Sequence, residues 1–276
     1  MSNLTNHIAI VTGGARGLGR AMTRALAGAG ASVIVADIDG AAAHETAGEI
    51  TSAGGAARAA ACDITVAADC ERAVAAATEL GGLHILVNNA ALGQSHLERA
   101  PGTRSFRFWE ANREMWQRIA ATNINGTFLM SHTAAPAMIA NRWGRIVNIT
   151  TSLDTMQRGA NSPYGVTKAA IEAETLIWAQ DLAGTGVTVN SLIPGGAADT
   201  GFVSDRSRAS ILGSGRKLLD PAIMAAPLLW LVSREADGIT GARFVAKDWD
   251  ALLAGAEAAK KAREAPVIRE SDRRGE

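Results

Sequence analysis

Tyr164 is the single tyrosine of this chain, and Lys168 follows it by four residues in the run S-P-Y-G-V-T-K. On a helix that spacing puts both side chains on one face, so the phenol and the ammonium point into the same space. A neighbouring positive charge favours the phenolate and lowers the phenol's pKa from its free value of about 10. A phenol tuned in this way exchanges a proton with an alcohol or a carbonyl near neutral pH. A Tyr and a Lys four apart also arise on ordinary surface helices, so the weight of the pair rests on what accompanies it.

A second constellation suits a dinucleotide. The stretch T-G-G-A-R-G-L-G, Thr12 to Gly19, follows a β-branched run directly and opens a helical pattern. Gly13, Gly17 and Gly19 let the backbone turn sharply and approach a pyrophosphate, with the amides of the helix N-terminus facing the phosphates. The spacing is G-x-x-x-G-x-G rather than the common G-x-G-x-x-G. Asp37 ends the next β-run, V-I-V-A-D. A carboxylate there accepts hydrogen bonds from an adenosine ribose and repels a 2′-phosphate, which predicts NAD. Arg16 in the loop pulls towards NADP, and an Asp at this point also suits a helix cap, a task Asp39 fills equally well. The repulsion from Asp37 is direct and short-ranged, so NAD is preferred over NADP.

The elements that must position these groups follow from the pattern of the chain. Strands are predicted at 7–12, 32–36, 56–62, 83–88, 144–150, 186–193 and 243–246. Helices are predicted near 17–29, 40–53, 66–80, 112–141, 162–183 and 221–235. Buried apolar strands alternating with longer helices indicate βαβ units: an α/β fold with a doubly wound parallel sheet covered on both faces. Residues 1–250 are expected to form one dinucleotide-binding and catalytic domain, and 251–276 a charged C-terminal extension whose last 20 residues, from Glu257, are read as a frayed helix and solvated tail. Two loops resist the pattern, about 92–111 with Phe106, Phe108 and Trp109, and about 197–219, rich in Gly, Ser and Arg. Both follow strands at the edge where open α/β sheets bind ligands, so they are expected to contact substrate.

Composition narrows the classes. The chain has 276 residues, 27 basic and 27 acidic, so nothing points to a nucleic-acid or anionic-membrane partner. Its two cysteines, Cys62 and Cys70, have neither a disulfide framework nor metal-ligand spacing, and no metal is expected. The first residues lack a signal-peptide pattern and no apolar run reaches a membrane span, so a cytoplasmic protein is expected.

With these motifs in order along the chain, the sequence resembles the short-chain dehydrogenases/reductases of the single-domain type. The matching pieces are the loop at Thr12–Gly19, Asp63 after the third strand, N-N-A at Asn88–Ala90, Asn123 in T-N-I-N-G-T-F, a hydroxyl after the fifth strand, Tyr164 with Lys168, and P-G at Pro194–Gly195. The resemblance implies a three-layer Rossmann fold with a mostly seven-stranded parallel sheet, assembled as a homodimer or homotetramer. It implies cofactor contacts from Gly13, Arg16, Gly17, Leu18, Gly19, Asp37, Ile38, Asp63, Ile64, Asn89, Ala90, Tyr164, Lys168, Pro194 and Gly195. Lys168 would bind the nicotinamide ribose as well as tune Tyr164, Asn88 would steady the sheet edge, and Asn123 would bend its helix and hold a water in a relay to Lys168.

The chain departs from the family pattern in three places. Strict register puts the family's serine at Thr151, whereas residue type favours Ser152; Ser152 is slightly preferred. Thr200 lies one residue beyond the usual carboxamide-binding threonine. The usual D-G-G near the C-terminus is replaced by A-R-F-V-A-K-D-W-D. The expected activity interconverts a secondary alcohol and a ketone through Tyr164, Lys168, Asn123 and Ser152 or Thr151, with a small alcohol or ketone as substrate. Leu153, Asp154, Gln157, Arg158 and Phe202 are candidate walls. The alternative is a non-catalytic NAD(P)-binding regulator on the same fold.

Overall fold

The computed structural model describes residues 3–93 and 107–267. Phe106 and much of the first predicted substrate loop lie outside the described residues.

Strands β1 (Ile8–Thr12), β2 (Ser32–Asp37), β3 (Ala56–Ala61), β4 (Ile85–Asn88), β5 (Gly144–Ile149), β6 (Val187–Ile193) and β7 (Arg243–Val245) run parallel. The sheet order is β3-β2-β1-β4-β5-β6-β7, closed at the β7 edge by the two-residue β8 (Arg263–Glu264), so the winding direction reverses between β1 and β4. Between the strands lie helices α1 (Gly17–Gly28), α2 (Gly40–Ser52), α3 (Ala67–Thr78), α4 (Arg113–Ala120), α5 (Thr127–Ala140), α6 (Leu153–Gln157), α7 (Tyr164–Asp181), α8 (Asp205–Gly213) and α9 (Ala225–Leu231). Alternate residues along β1 feed two cores, as the pleat requires. Ala9 and Val11 pack with Met22 and Leu26 of α1 and Leu228 of α9. Ile8 and Ile10 pack with Ala73 of α3 and with Met130, Ala134 and Met138 of α5. Both faces are thus apolar, and the free edge for chemistry is the carboxyl end of the strands.

Three differences from the sequence reading have local causes. The long helix predicted over 112–141 is two helices joined by a wide π turn, Ala121–Gly126. Within that turn the Asn123 side chain binds main-chain groups of another loop, and the Thr127 hydroxyl donates to the Asn123 carbonyl at 2.7 Å. Second, the loop at 197–219 contains α8, whose N-cap Ser204 accepts from the Ser207 amide. Third, the C-terminal extension is not solely a solvated tail. Helix α10 (Gly255–Ala262) buries Ala258, Ala259 and Ala262, and β8 (Arg263–Glu264) pairs antiparallel with β7, adding an eighth strand to the seven parallel ones.

Candidate active site

The glycine loop is built for close approach. A β-carbon added at Gly19 would lie 1.9 Å from the Gly13 carbonyl oxygen, and one at Gly13 would lie 2.9 Å from the Ala90 Cα. No side chain fits at either place. Asn89 ties the loop down, its amide donating to the carbonyls of Thr12 at 2.9 Å and Gly13 at 3.0 Å. The Thr12 hydroxyl accepts from the Asn89 and Ala90 amides at 3.0 and 3.1 Å. Arg16 stands at the N-cap of α1 with no side-chain cap bond, which leaves the helix amides to the loop's mouth. A Cβ-free cradle at a side-chain-uncapped helix N-terminus fits a pyrophosphate.

The ribose end is equally ordered. The Asp37 carboxylate accepts from the Ala15 amide at 3.1 Å and the Asp39 amide at 3.0 Å, which fixes it beside the loop. Arg16 is mostly exposed and forms an ion pair with Asp39, which also caps α2 through the Ala42 amide. Asp37 and Asp39 therefore divide the work: one holds the loop, the other caps α2. Ile38, 67% exposed, projects beside them, while Leu18 packs towards the core. Asp63 closes a tight turn, accepting from the Thr65 amide and hydroxyl at 2.9 and 2.7 Å. Ile64 is buried at Gly126 rather than open to a ligand. Pro194 and Gly195 follow β6, and Gly195 sits against Val245 and Lys247. Asn88 joins Ser131 and Asn148, each at 2.8 Å, as a buried amide within the sheet.

At the carboxyl end of β5 and the start of α7 the predicted acid–base residues come together. Lys168 is buried, its Nζ donates to the Ile149 carbonyl at 2.7 Å, and it lies 5.9 Å from the centre of the Tyr164 ring. The Thr151 hydroxyl stands beside the Tyr164 phenol, near enough to favour its charged form. Ser152 is occupied elsewhere: it caps α6, bonding the Thr155 hydroxyl at 2.9 Å and amide at 3.3 Å. The two candidate hydroxyls thus differ in surroundings: Ser152 is engaged at the start of α6, and Thr151 stands beside the phenol.

Electrostatics here run against the sequence expectation. Burial raises the phenol's pKa well above its usual value, and the Thr151 hydroxyl offsets only part of that. Burial also pulls Lys168 down to about 8, with the Glu172 carboxylate pushing back up. Both groups are desolvated, and desolvation disfavours each charged form.

Asn123 does bend its helix, but its side chain is a clamp. Its Oδ1 accepts from the Leu92 amide at 2.8 Å, and its Nδ2 donates to the Leu92 carbonyl and the Thr167 hydroxyl, both at 2.9 Å. It secures the loop after β4 to α7.

The second loop folds over both ends of the site. Thr200 packs against Gly17, and the Phe202 ring lies 5.6 Å from the Tyr164 ring and presses on Gly93. Asp154 of α6 pairs with Arg158 just beyond it, Leu153 and Gln157 are exposed, and Phe108 and Trp109 form an exposed edge-to-face pair. Two buried charges, Glu172 and Arg243, were missed by sequence reasoning. Arg243 carried a signal, a charge inside the short apolar run A-R-F-V; Glu172 lies on a helix face that also buries Lys168, Thr167 and Thr175.

The family model for short chain dehydrogenases matches residues 7–210. The chain is 34% identical over 247 residues to a 2,5-dichloro-2,5-cyclohexadiene-1,4-diol dehydrogenase of Sphingobium indicum, covering 87% of this chain and 94% of that protein. It is 32% identical to a 3-oxoacyl-[acyl-carrier-protein] reductase of Vibrio cholerae, covering 87% and 95%. The crystal structure of a 3-ketoacyl-(acyl-carrier-protein) reductase from Brucella melitensis complexed with NADH superposes with a TM-score of 0.77 at 31% identity, covering 87% and 96%. The chain belongs to the short-chain dehydrogenase family. It is an NAD(P)-dependent oxidoreductase acting on CH–OH groups. No helix among the described residues is long and apolar enough to cross a membrane.

Proposed function

We propose that this protein interconverts a secondary alcohol and a ketone with NAD as its preferred cofactor, using Tyr164 as the general acid/base and Thr151 as the hydroxyl that holds the reacting oxygen. The approach of the Thr151 hydroxyl to the half-buried Tyr164 phenol, one helical turn from Lys168, carries this reading. Gly13, Gly17, Gly19, Asp37 and Lys168 would hold the cofactor, which when bound supplies or accepts the hydride.

The protein's own groups handle the proton and the oxygen. A phenol whose pKa is raised by burial is protonated at neutral pH, the form that gives a proton to a nascent alkoxide. Thr151 donates to that oxygen as its charge grows. The electrostatic state of the site therefore suits reduction of a carbonyl. Oxidation requires the phenolate, which burial opposes and the Lys168 ammonium favours. Preference for NAD rests on the Asp37 carboxylate, held beside the loop where a 2′-phosphate would be repelled, and on Arg16 being engaged by Asp39.

Helices α5 and α7 leave Phe128, Ile139, Val166 and Ile177 exposed, which suits a homodimer or homotetramer joined through these helices. Both cysteines are free, in keeping with a reducing cytoplasm.

The test is Tyr164→Phe. Turnover on an alcohol and ketone panel is expected to fall by about 10²–10⁴-fold, with NADH affinity unchanged by fluorescence titration. Near-normal turnover in this variant would sink the mechanism.

A further inference from the structure

The buried charges missed by the sequence reading meet behind the catalytic hydroxyl. Arg243, on β7, is 1% exposed and donates from Nη2 to the Thr151 main-chain carbonyl at 2.8 Å. Its Nη1 forms an ion pair with Glu172 and reaches the Thr150 hydroxyl at 3.4 Å. Its Nε donates to Glu264 of β8 at 2.7 Å. Glu172, on α7 one turn beyond Lys168, accepts from the Thr150 and Ser191 hydroxyls. One guanidinium thus ties β5, α7 and the C-terminal strand to each other at the residue that faces the phenol.

Stability alone does not call for this arrangement. A buried ion pair is often matched or bettered by apolar side chains of similar volume, because two charges must be stripped of water. What the fork of an arginine provides is direction: planar, rigid donors that fix several acceptors at once.

We propose that Arg243 is a positioning residue for the reaction: it grips the Thr151 main chain so that the hydroxyl stays on the Tyr164 phenol, and Glu264 of the C-terminal extension holds Arg243 in place. This rests on the reading of Thr151 and Tyr164 as the reacting pair. The extension, absent from the sequence-based account of the site, becomes part of its scaffold.

The chain's single tyrosine supplies a readout that needs no substrate. Protein labelled with ring-¹³C tyrosine gives one phenol signal, that of Tyr164. Arg243→Lys, which keeps the charge and loses the fork, is expected to shift that signal. Glu264→Gln, at a half-exposed carboxylate and therefore mild towards folding, shifts it less and in the same direction. With a substrate from the panel, Arg243→Lys is expected to lower kcat by about 10–100-fold, as an ångström-scale misplacement does, while KM and NADH affinity stay within about threefold. In a Thr151→Ala background the same substitution is expected to cause no further loss of kcat.

An unmoved signal with unchanged kcat in folded Arg243→Lys overturns the proposal, as does an equal loss in the Thr151→Ala background. If Arg243→Lys fails to fold, Glu264→Gln decides by the same signal. Failure of the catalytic reading is seen separately, as activity retained in Tyr164→Phe, and leaves the spectroscopic comparison intact.

Discussion

Thr151 and Ser152 sit side by side at the end of β5, and exchanging each for alanine separates holding a helix from holding a substrate. Ser152→Ala removes the cap of α6, where the serine oxygen accepts from the Thr155 amide at 3.3 Å and meets the Thr155 hydroxyl at 2.9 Å. Loss of such a cap costs about 1 kcal/mol, a fall in Tm of about 2–4 °C for a chain of this size. The Thr151 contact with the phenol is untouched, so kcat is expected to stay within about threefold. Thr151→Ala has the opposite profile. Its hydroxyl caps no helix among the described residues, so Tm changes little, but the reacting oxygen loses a donor. Removal of one such donor costs about 2.7–4 kcal/mol in the transition state, or roughly 10²–10³ in kcat. Thr151→Ser keeps the hydroxyl and is expected to recover most of the rate. Thermal melts and steady-state kinetics on the same preparations read both quantities. A large loss of kcat in Ser152→Ala with a near-normal Thr151→Ala would refute the assignment, and with it the claim that the capping bonds withdraw Ser152 from the chemistry.

Further expectations follow from the cofactor end and from one buried carboxyl. Gly19→Ala forces the loop open by about 1 Å, since its β-carbon would fall 1.9 Å from the Gly13 oxygen; NADH affinity is expected to drop by at least about tenfold, and unchanged affinity by titration would show that the cradle is not the phosphate site. Asp37→Ser removes the charge that opposes a 2′-phosphate, so the ratio of NADPH to NADH affinity is expected to rise by about tenfold or more, with an unaltered ratio counting against Asp37 as the selector. Glu174 has an oxygen buried without a partner among the described residues, and burial raises its pKa to about 7 from 4.5. Between those values the native state binds the extra proton, so stability falls as pH rises through the window and the penalty is full above it. Glu174→Gln is therefore expected to gain about 1–2 kcal/mol at pH 8, discounted for the solvent that reaches the rest of the carboxyl, and almost nothing near pH 4; equal gains at both pH values would rule the titration out.

Much of this protein was legible because its constraints are local. Gly13 and Gly19 are glycines since no other side chain clears the Gly13 and Ala90 main chain, and that demand shows in the sequence as a spaced glycine motif. The alternation of apolar strands and helices reports burial on two faces, which each strand needs by itself. Tyr164 and Lys168 share a face because a helix repeats every 3.6 residues, a rule that holds before any packing is known. The bend at Asn123 is harder to see, since a π turn depends on an amide binding a loop more than thirty residues away in the chain.

Other decisions belong to the tertiary structure because they are made by groups far apart in the chain. Register and residue type could not choose between Thr151 and Ser152; what separates them is the start of α6, which engages Ser152 as its cap while Thr151 stands beside the phenol. Spacing predicted a phenol made acidic by its lysine neighbour, yet burial under Phe202 and the sheet edge raises the phenol and lowers the lysine, because desolvation depends on everything that surrounds a charge. The charged C-terminal run looked like solvent-facing chain, and only pairing with β7 brings Glu264 to Arg243. By itself the sequence determined the sheet, the glycine cradle and the Tyr–Lys face, all set by short-range geometry. Which hydroxyl meets the phenol, which protonation states the site favours and what the last strand holds were decided by packing, where the partners are distant in sequence and near in space.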